Sequence, residues 1–200
     1  MTPYNPNASA LPNPQDVGNR CITFTPAAGE IAAFTVDNQH PGGDPRTIGY
    51  WRNWTACAGG NGNQTQTAAK NGGPDAGWYL MENLLPQLIG DLNVESCSQG
   101  VPIVSKQSLD GKQRANDGAY ELAAQFLAAR LNLAAGAESC TAVQQAVIDA
   151  QSLLDQINFT GVGGYLPSSV KGATLVAQRQ LSLSIAKTLD NYNNGNLCTP

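Results

Sequence analysis

From residue 116 to residue 192 apolar side chains recur at helical spacing, and this pattern constrains the fold more than anything else in the chain. Its clearest part is Val143, Ala146, Val147, Ala150, Leu153, Leu154 and Ile157, an i, i+3, i+4, i+7 series capped by Ser139 or Thr141. Before it, Ala119, Leu122, Ala123, Phe126, Leu127, Arg130 and Leu133 lie on one broad alanine-rich face. That helix starts at Asn116 or Asp117 and stops at Gly136. After it, Gly161, Gly163, Gly164 and Pro167 break the chain, and a last helix runs from about Lys171 to Tyr192. Its stripe is Ala177, Leu181, Ile185 and Leu189. Amphipathic helices this long must bury their stripes against one another, so the second half of the chain is a helical bundle.

The first half is less regular. Residues 1–19 carry Pro3, Pro6, Pro12 and Pro14 among small polar residues, which predicts a flexible linker or tail. Residues 20–43 form a short β segment, with strands at Cys21–Thr25 and Glu30–Val36 closed by Pro26-Ala27-Ala28-Gly29. His40 to Pro45 is a turn cluster, and residues 44–200 are the helical domain. Within it, Ala58 to Gly73 reads as a polar surface loop. Pro74 opens a helix carrying Trp78, Met81, Leu84, Leu85, Leu88 and Ile89, kinked at Pro86, and Leu92 to Ser108 reads as irregular. The expected class is mainly α: an irregular helical bundle with a small N-terminal β-hairpin, stapled by disulfides.

Thr47-Ile48-Gly49-Tyr50-Trp51-Arg52-Asn53-Trp54 holds two of the three tryptophans of the chain. Thr47 caps a short helix here, and Tyr50, Trp51 and Trp54 fall on one face. Two readings compete. The rings are core, with Arg52 lying over an indole, or Tyr50, Trp51, Arg52, Trp54 and Trp78 form an exposed platform on which a sugar stacks. The core reading is preferred, because a six- to eight-residue helix exists only if it docks on something.

Charged residues make up 13% of the 200 and the net charge is −4, with no basic run. Phosphate neutralisation needs clustered Lys and Arg, so no nucleic-acid partner is expected. No stretch of about twenty apolar residues is present, and none is expected to insert into a membrane. The N-terminus lacks the charged and apolar regions of a signal peptide. Five widely spaced cysteines with no CxxC pair read as disulfides of an oxidising compartment, not as a zinc site. Cys57–Cys97 and Cys140–Cys198 is the preferred pairing, each bridge contributing about 4 kcal/mol through loop closure. Other pairings remain open, and Cys21 is left over.

Chemistry is thinly signalled. The single histidine, His40, precedes a proline in a turn, with no nucleophile motif beside it. Glu82, Asp91, Glu95 and Asp110 are the carboxylates available to pair as acid and base, and nothing in their spacing favours that. Asp110-Gly111-Lys112 with Asp117 holds too few oxygen ligands for a calcium loop. Neither a metal nor a cofactor is expected, and the enzyme question leans towards no.

The aromatic segment resembles the "GYWKN" signature of a module found in large secreted bacterial surface proteins, often beside immunoglobulin-like β repeats. The resemblance extends through Leu84-Leu85-Pro86-Gln87, Ile89-Gly90-Asp91-Leu92 and Ala119-Tyr120-Glu121-Leu122-Ala123-Ala124-Gln125. It continues in Leu131-Asn132, Ala135-Gly136-Ala137 and Leu189-Asp190-Asn191-Tyr192-Asn193-Asn194-Gly195, covering roughly residues 44 to 198. Arg52 stands where lysine is usual and Trp54 where histidine is frequent. The resemblance implies a secreted or cell-surface setting and supplies no catalytic residue. The expected function is a non-enzymatic structural or adhesive module. A carbohydrate-binding module using exposed aromatics is the alternative, and a hydrolase using paired carboxylates is the third reading. Polysaccharide or other surface proteins are the expected partners.

Overall fold

The computed structural model describes residues 44–55, 57 and 80–198, and the backbone of residues 15–16 and 22–23. The chain divides into two units, residues 1–38 and 39–200.

In the first unit, strand β1 (Gln15–Asp16) pairs antiparallel with β2 (Ile22–Thr23), Gln15 facing Thr23 and Asp16 facing Ile22. A strand therefore falls at Ile22–Thr23, but its partner lies inside residues 1–19, read from the sequence as linker. The last proline of that stretch is Pro14, so backbone N–H groups become available from Gln15 onward, and Gly18-Asn19 supplies a turn signal between the strands. The expected second strand at Glu30–Val36 lies outside the described residues.

The second unit is mainly helical. Helix α1 (Ile48–Asn53) is followed by a 3-10 turn (Met81–Leu84), strands β3 (Gln87–Ile89) and β4 (Leu92–Val94), and helices α2 (Cys97–Val104), α3 (Gly118–Ala134), α4 (Thr141–Gln156) and α5 (Ala173–Asn193). Helix α3 is the axle. Thirteen of its residues are buried, and α5, α2, α4, β3 and α1 pack around it. Its many alanines let those neighbours approach closely on nearly every side, which exceeds the one broad face expected. Asp117 caps it and Gly136, at φ +86°, turns the chain out of it.

The sequence misplaced two elements. Residues 84–94 were expected to continue a kinked helix and then become irregular; they form a hairpin with Gln87 facing Val94, Leu88 facing Asn93 and Ile89 facing Leu92. Leu84, Leu85, Leu88 and Ile89 fit helical spacing, yet Pro86 stops a helix and Gly90, at φ +60°, makes the two-residue turn with Asp91. Gln87, Ile89, Leu92 and Val94 then face inward, while Leu88 and Asn93 face solvent.

Helix α2 runs through Pro102, which was expected to prevent regular structure there. Pro102 forfeits one bond, to the carbonyl of the exposed Ser98, which water can satisfy. The Gln99 side chain reaches back to the Ser96 N–H at 3.2 Å and starts the helix as the returning half of a capping box.

On α5 the buried stripe is Ser182, Ile185, Ala186, Leu189, Tyr192 and Asn193, so Ile185 and Leu189 of the expected stripe are buried while Ala177 and Leu181 are exposed. Leu181 is 50% exposed. The shift has a steric cause: α5 meets the first residue of α3, where a Cβ on Gly118 would lie 2.6 Å from Ser182 Oγ. Only a small side chain fits there, so serine faces inward and leucine outward.

Candidate functional site

Helix α1 is built by Thr47, whose hydroxyl accepts from Tyr50 N at 3.2 Å. Six residues cannot sustain a helix alone, and the docking that sustains this one is Trp51. Its side chain is 0% exposed and its indole N–H donates to Asn132 Oδ1 at 3.0 Å. Asn132 is on α3, 81 residues away in sequence, and is itself buried. The same amide grips the backbone just before α1. Arg46 N–H donates to Asn132 Oδ1, and Asn132 Nδ2 donates to the Arg46 carbonyl, both at 2.8 Å.

The cluster extends into α5. Asn132 Nδ2 also donates to Asn193 Oδ1 at 2.9 Å. Asn193 Nδ2 donates to the Gln125 carbonyl at 3.0 Å and to Gln125 Oε1 at 2.9 Å. Gln125 Nε2 in turn donates to Asp190 Oδ1 at 2.9 Å. Every polar atom of Asn132 and Asn193 thus has a partner, and the three amides form one connected network. A network completed in this way rigidifies a core, whereas the same amides left unpaired would each cost about 1–3 kcal/mol.

Of the two readings of the aromatic segment, the preferred one, core, holds for Trp51. Tyr50 is half-buried, meets Trp51 edge-on at 5.0 Å and stacks on Trp54 at 5.1 Å with an 11° interplanar angle. A guanidinium also lies 5.4 Å from the Tyr50 ring centre, but it belongs to Arg46. Arg52, expected over an indole, is exposed. Trp54 is half-buried, and Trp78 lies outside the described residues, as does His40. Among the described members of the candidate platform, Arg52 is exposed, Tyr50 and Trp54 keep partial exposure, and Trp51 has none.

The carboxylates are dispersed. Glu82 Oε1 accepts from the Thr55 hydroxyl at 2.9 Å, tying the end of the α1 segment to the 3-10 turn. Asp91 sits exposed in the β3–β4 turn, and Glu95 accepts from Asn93 at 2.8 Å. Asp110 accepts from the Ser108 hydroxyl, and that bond holds its carboxyl below the ordinary value, with Lys112 and Arg114 adding to the effect. Glu82, Glu95 and Asp110 thus accept from three different neighbours on three different segments. Among the described residues no group of three or more His, Cys, Asp and Glu side chains is placed to hold a metal.

The one buried carboxylate among the described residues, Asp117, reads from the sequence only as a cap or turn residue. Asp117 Oδ1 accepts from Ala119 N and Leu166 N, and Oδ2 from Tyr165 N, at 2.8–3.0 Å. It therefore holds the 159–166 loop against the start of α3. Tyr120 completes this region by donating to the Gly163 carbonyl at 3.0 Å, and burial followed by the neighbouring Tyr165 raises its phenol well above the ordinary range. The signal available in the sequence was only that Asp117 precedes the strongest helix.

Two cysteine pairs staple this unit. Cys57 and Cys97, at Cα–Cα 5.8 Å, tie the end of the α1 segment to the start of α2. Cys140 and Cys198, at 5.4 Å, tie the N-cap of α4 to the C-terminal tail. Both are the preferred pairs from the sequence, and Cys21 lies outside the described residues. Among the described residues no helix is long and apolar enough to cross a membrane. The chain matches no protein-family model, and neither a curated protein nor a solved structure shows significant similarity to it.

Proposed function

We propose that the chain is a non-enzymatic structural or adhesive module of a secreted or cell-surface protein. One observation carries the reading: the residues behind the resemblance to the "GYWKN" module are spent on one another. Trp51, Asn132, Asp190 and Asn193, with Gln125, come from three stretches of sequence and meet in one network that turns inward. A signature kept for catalysis would direct unpaired polar groups into a cleft; this one holds the fold. The two disulfides support an oxidising compartment. The low content of charged residues, 13% of the chain, supports an extracellular setting.

The test is topological. In the native host, protease added outside intact cells, or the culture medium itself, should give access to the protein, and its cysteines should be oxidised as isolated under acid trapping. Recovery from the cytosolic fraction with four or more free thiols would end this reading.

A carbohydrate-binding role is the second reading, and the half-buried Trp54 beside the exposed Arg52 favours it. Binding in a polysaccharide screen that is lost in Trp54→Ala with the fold intact would replace the first reading by this one.

A further inference from the structure

The two ends of the helical unit are joined by a short path. Near the start, Arg46 is held by its own N–H and carbonyl to the Asn132 amide. Near the end, Cys198 is bonded to Cys140, which lies eight positions after Asn132. Tension applied between the ends therefore runs through two parallel hydrogen bonds, residues 132–140 and one disulfide. It bypasses α4, α5 and the β3–β4 hairpin.

We infer that this unit is a length-limited, load-bearing insert, in which the Asn132 grip on Arg46 yields first and the two disulfides cap the extension that follows. The inference rests on the reading of the chain as part of a surface protein, where tension is a natural load. Once Arg46 is released, the next resistance is Trp51, and peeling of α1 stops at Cys57, which is bonded to Cys97. Further extension can draw only on residues 97–140, because the disulfide-closed loops span 40 and 58 positions and stay closed. Those loops withhold together about 98 residues, and at about 3.5 Å per extended residue they withhold about 340 Å of length.

The geometry also orders the events. The Arg46 grip consists of two hydrogen bonds at an exposed residue, which water can replace as they break. The Trp51 anchor is fully buried and has no such substitute. Release of the Arg46 grip and then of Trp51 should therefore free residues 46–57, about 40 Å in all, before the larger extension of α2 and α3.

Single-molecule stretching of the full chain by its two ends, oxidised and then reduced, tests this. The expected result is about 340 Å more extension after reduction. Replacing only Cys57 and Cys97 by Ser should add about 140 Å, and replacing only Cys140 and Cys198 about 200 Å. Asn132→Asp keeps the acceptor for Arg46 N and removes both donated bonds, so it should lower the force of the first step without changing the later extension. Equal extension of oxidised and reduced chains would overturn the inference, as would a first-step force unchanged in Asn132→Asp. Should that variant fail to fold, the wild-type comparison alone decides the length limit, and a single oxidised event with no early step removes the assigned order. A chain that shows this pattern but is absent from the cell surface keeps the inference and sinks the localisation reading instead.

Discussion

Trp51 offers the sharpest test of how the unit is held together. Replacing it by Ala removes a fully buried indole and leaves a cavity facing α3, which in other cores costs about 3–5 kcal/mol. A share of that belongs to the indole N–H···Oδ1 bond. Trp51→Phe should isolate it, costing about 1–2 kcal/mol for the lost bond and imperfect filling, since Asn132 Oδ1 still accepts from Arg46 N. Small domains have about 5–15 kcal/mol in total, so the alanine variant forfeits a large fraction of it. The assay is urea unfolding of the oxidised protein followed by circular dichroism, because removing a tryptophan compromises fluorescence. The midpoint should fall with the m-value unchanged. Trp54→Ala, which removes a half-buried ring, should cost clearly less. A Trp51→Ala loss under about 1 kcal/mol, or one no larger than that of Trp54→Ala, would refute the anchor argument.

Three further outcomes are expected. Non-reduced peptide mapping should recover Cys57 linked to Cys97 and Cys140 linked to Cys198, with Cys21 alkylatable; any other linkage contradicts the fold. Burial raises the Tyr192 phenol to about 12, so its contribution to stability is complete below the unfolded value of about 10 and is lost as pH rises through about 12; ultraviolet titration should find this tyrosine protonated at pH 11, and a phenolate there would contradict its burial. Gly118→Ala should destabilise by about 1–3 kcal/mol, because its Cβ would press on Ser182 Oγ and lie 3.2 Å from Arg179 Cγ; a neutral result in thermal melts would mean that α3 and α5 are further apart than described.

How far the sequence could be read followed from which physical signal each element carried. Helix α4 was legible almost residue by residue, since Val143, Ala146, Ala150, Leu153 and Leu154 are all buried as its period predicts. Trp51 was legible as core because a short helix needs an anchor. The β3–β4 hairpin was not, because four large apolar residues matched helical spacing and only Pro86 and Gly90 argued otherwise. The polar network was invisible for a different reason. Gln125, Asn132 and Asn193 are polar residues in helical patterns, and a pattern read by hydropathy assigns such positions to solvent. What buries them is a partner on another element, and pairing at separations of 61 to 86 residues leaves no local trace.

That network also answers a problem set by the composition of α3. A helix lined by alanine presents shallow, repetitive grooves, and α5 could slide along it with little change in contact. Two pegs fix the register: Gly118 against Ser182 at one end, and the Gln125, Asn132 and Asn193 amides at the other. If the amides serve mainly to specify, replacing Gln125 by Met and Asn193 by Leu together should leave stability within about 1 kcal/mol of the original. The remaining polar groups keep partners after this change: Asn132 Nδ2 still donates to the Arg46 carbonyl, and Asp190 is exposed and still accepts from Asn194. What should suffer is uniqueness, seen as broadened or duplicated amide resonances along α3 and α5. A stability loss above about 3 kcal/mol with sharp spectra would show the reverse, that the amides hold the helices together and the alanine grooves already fix their register.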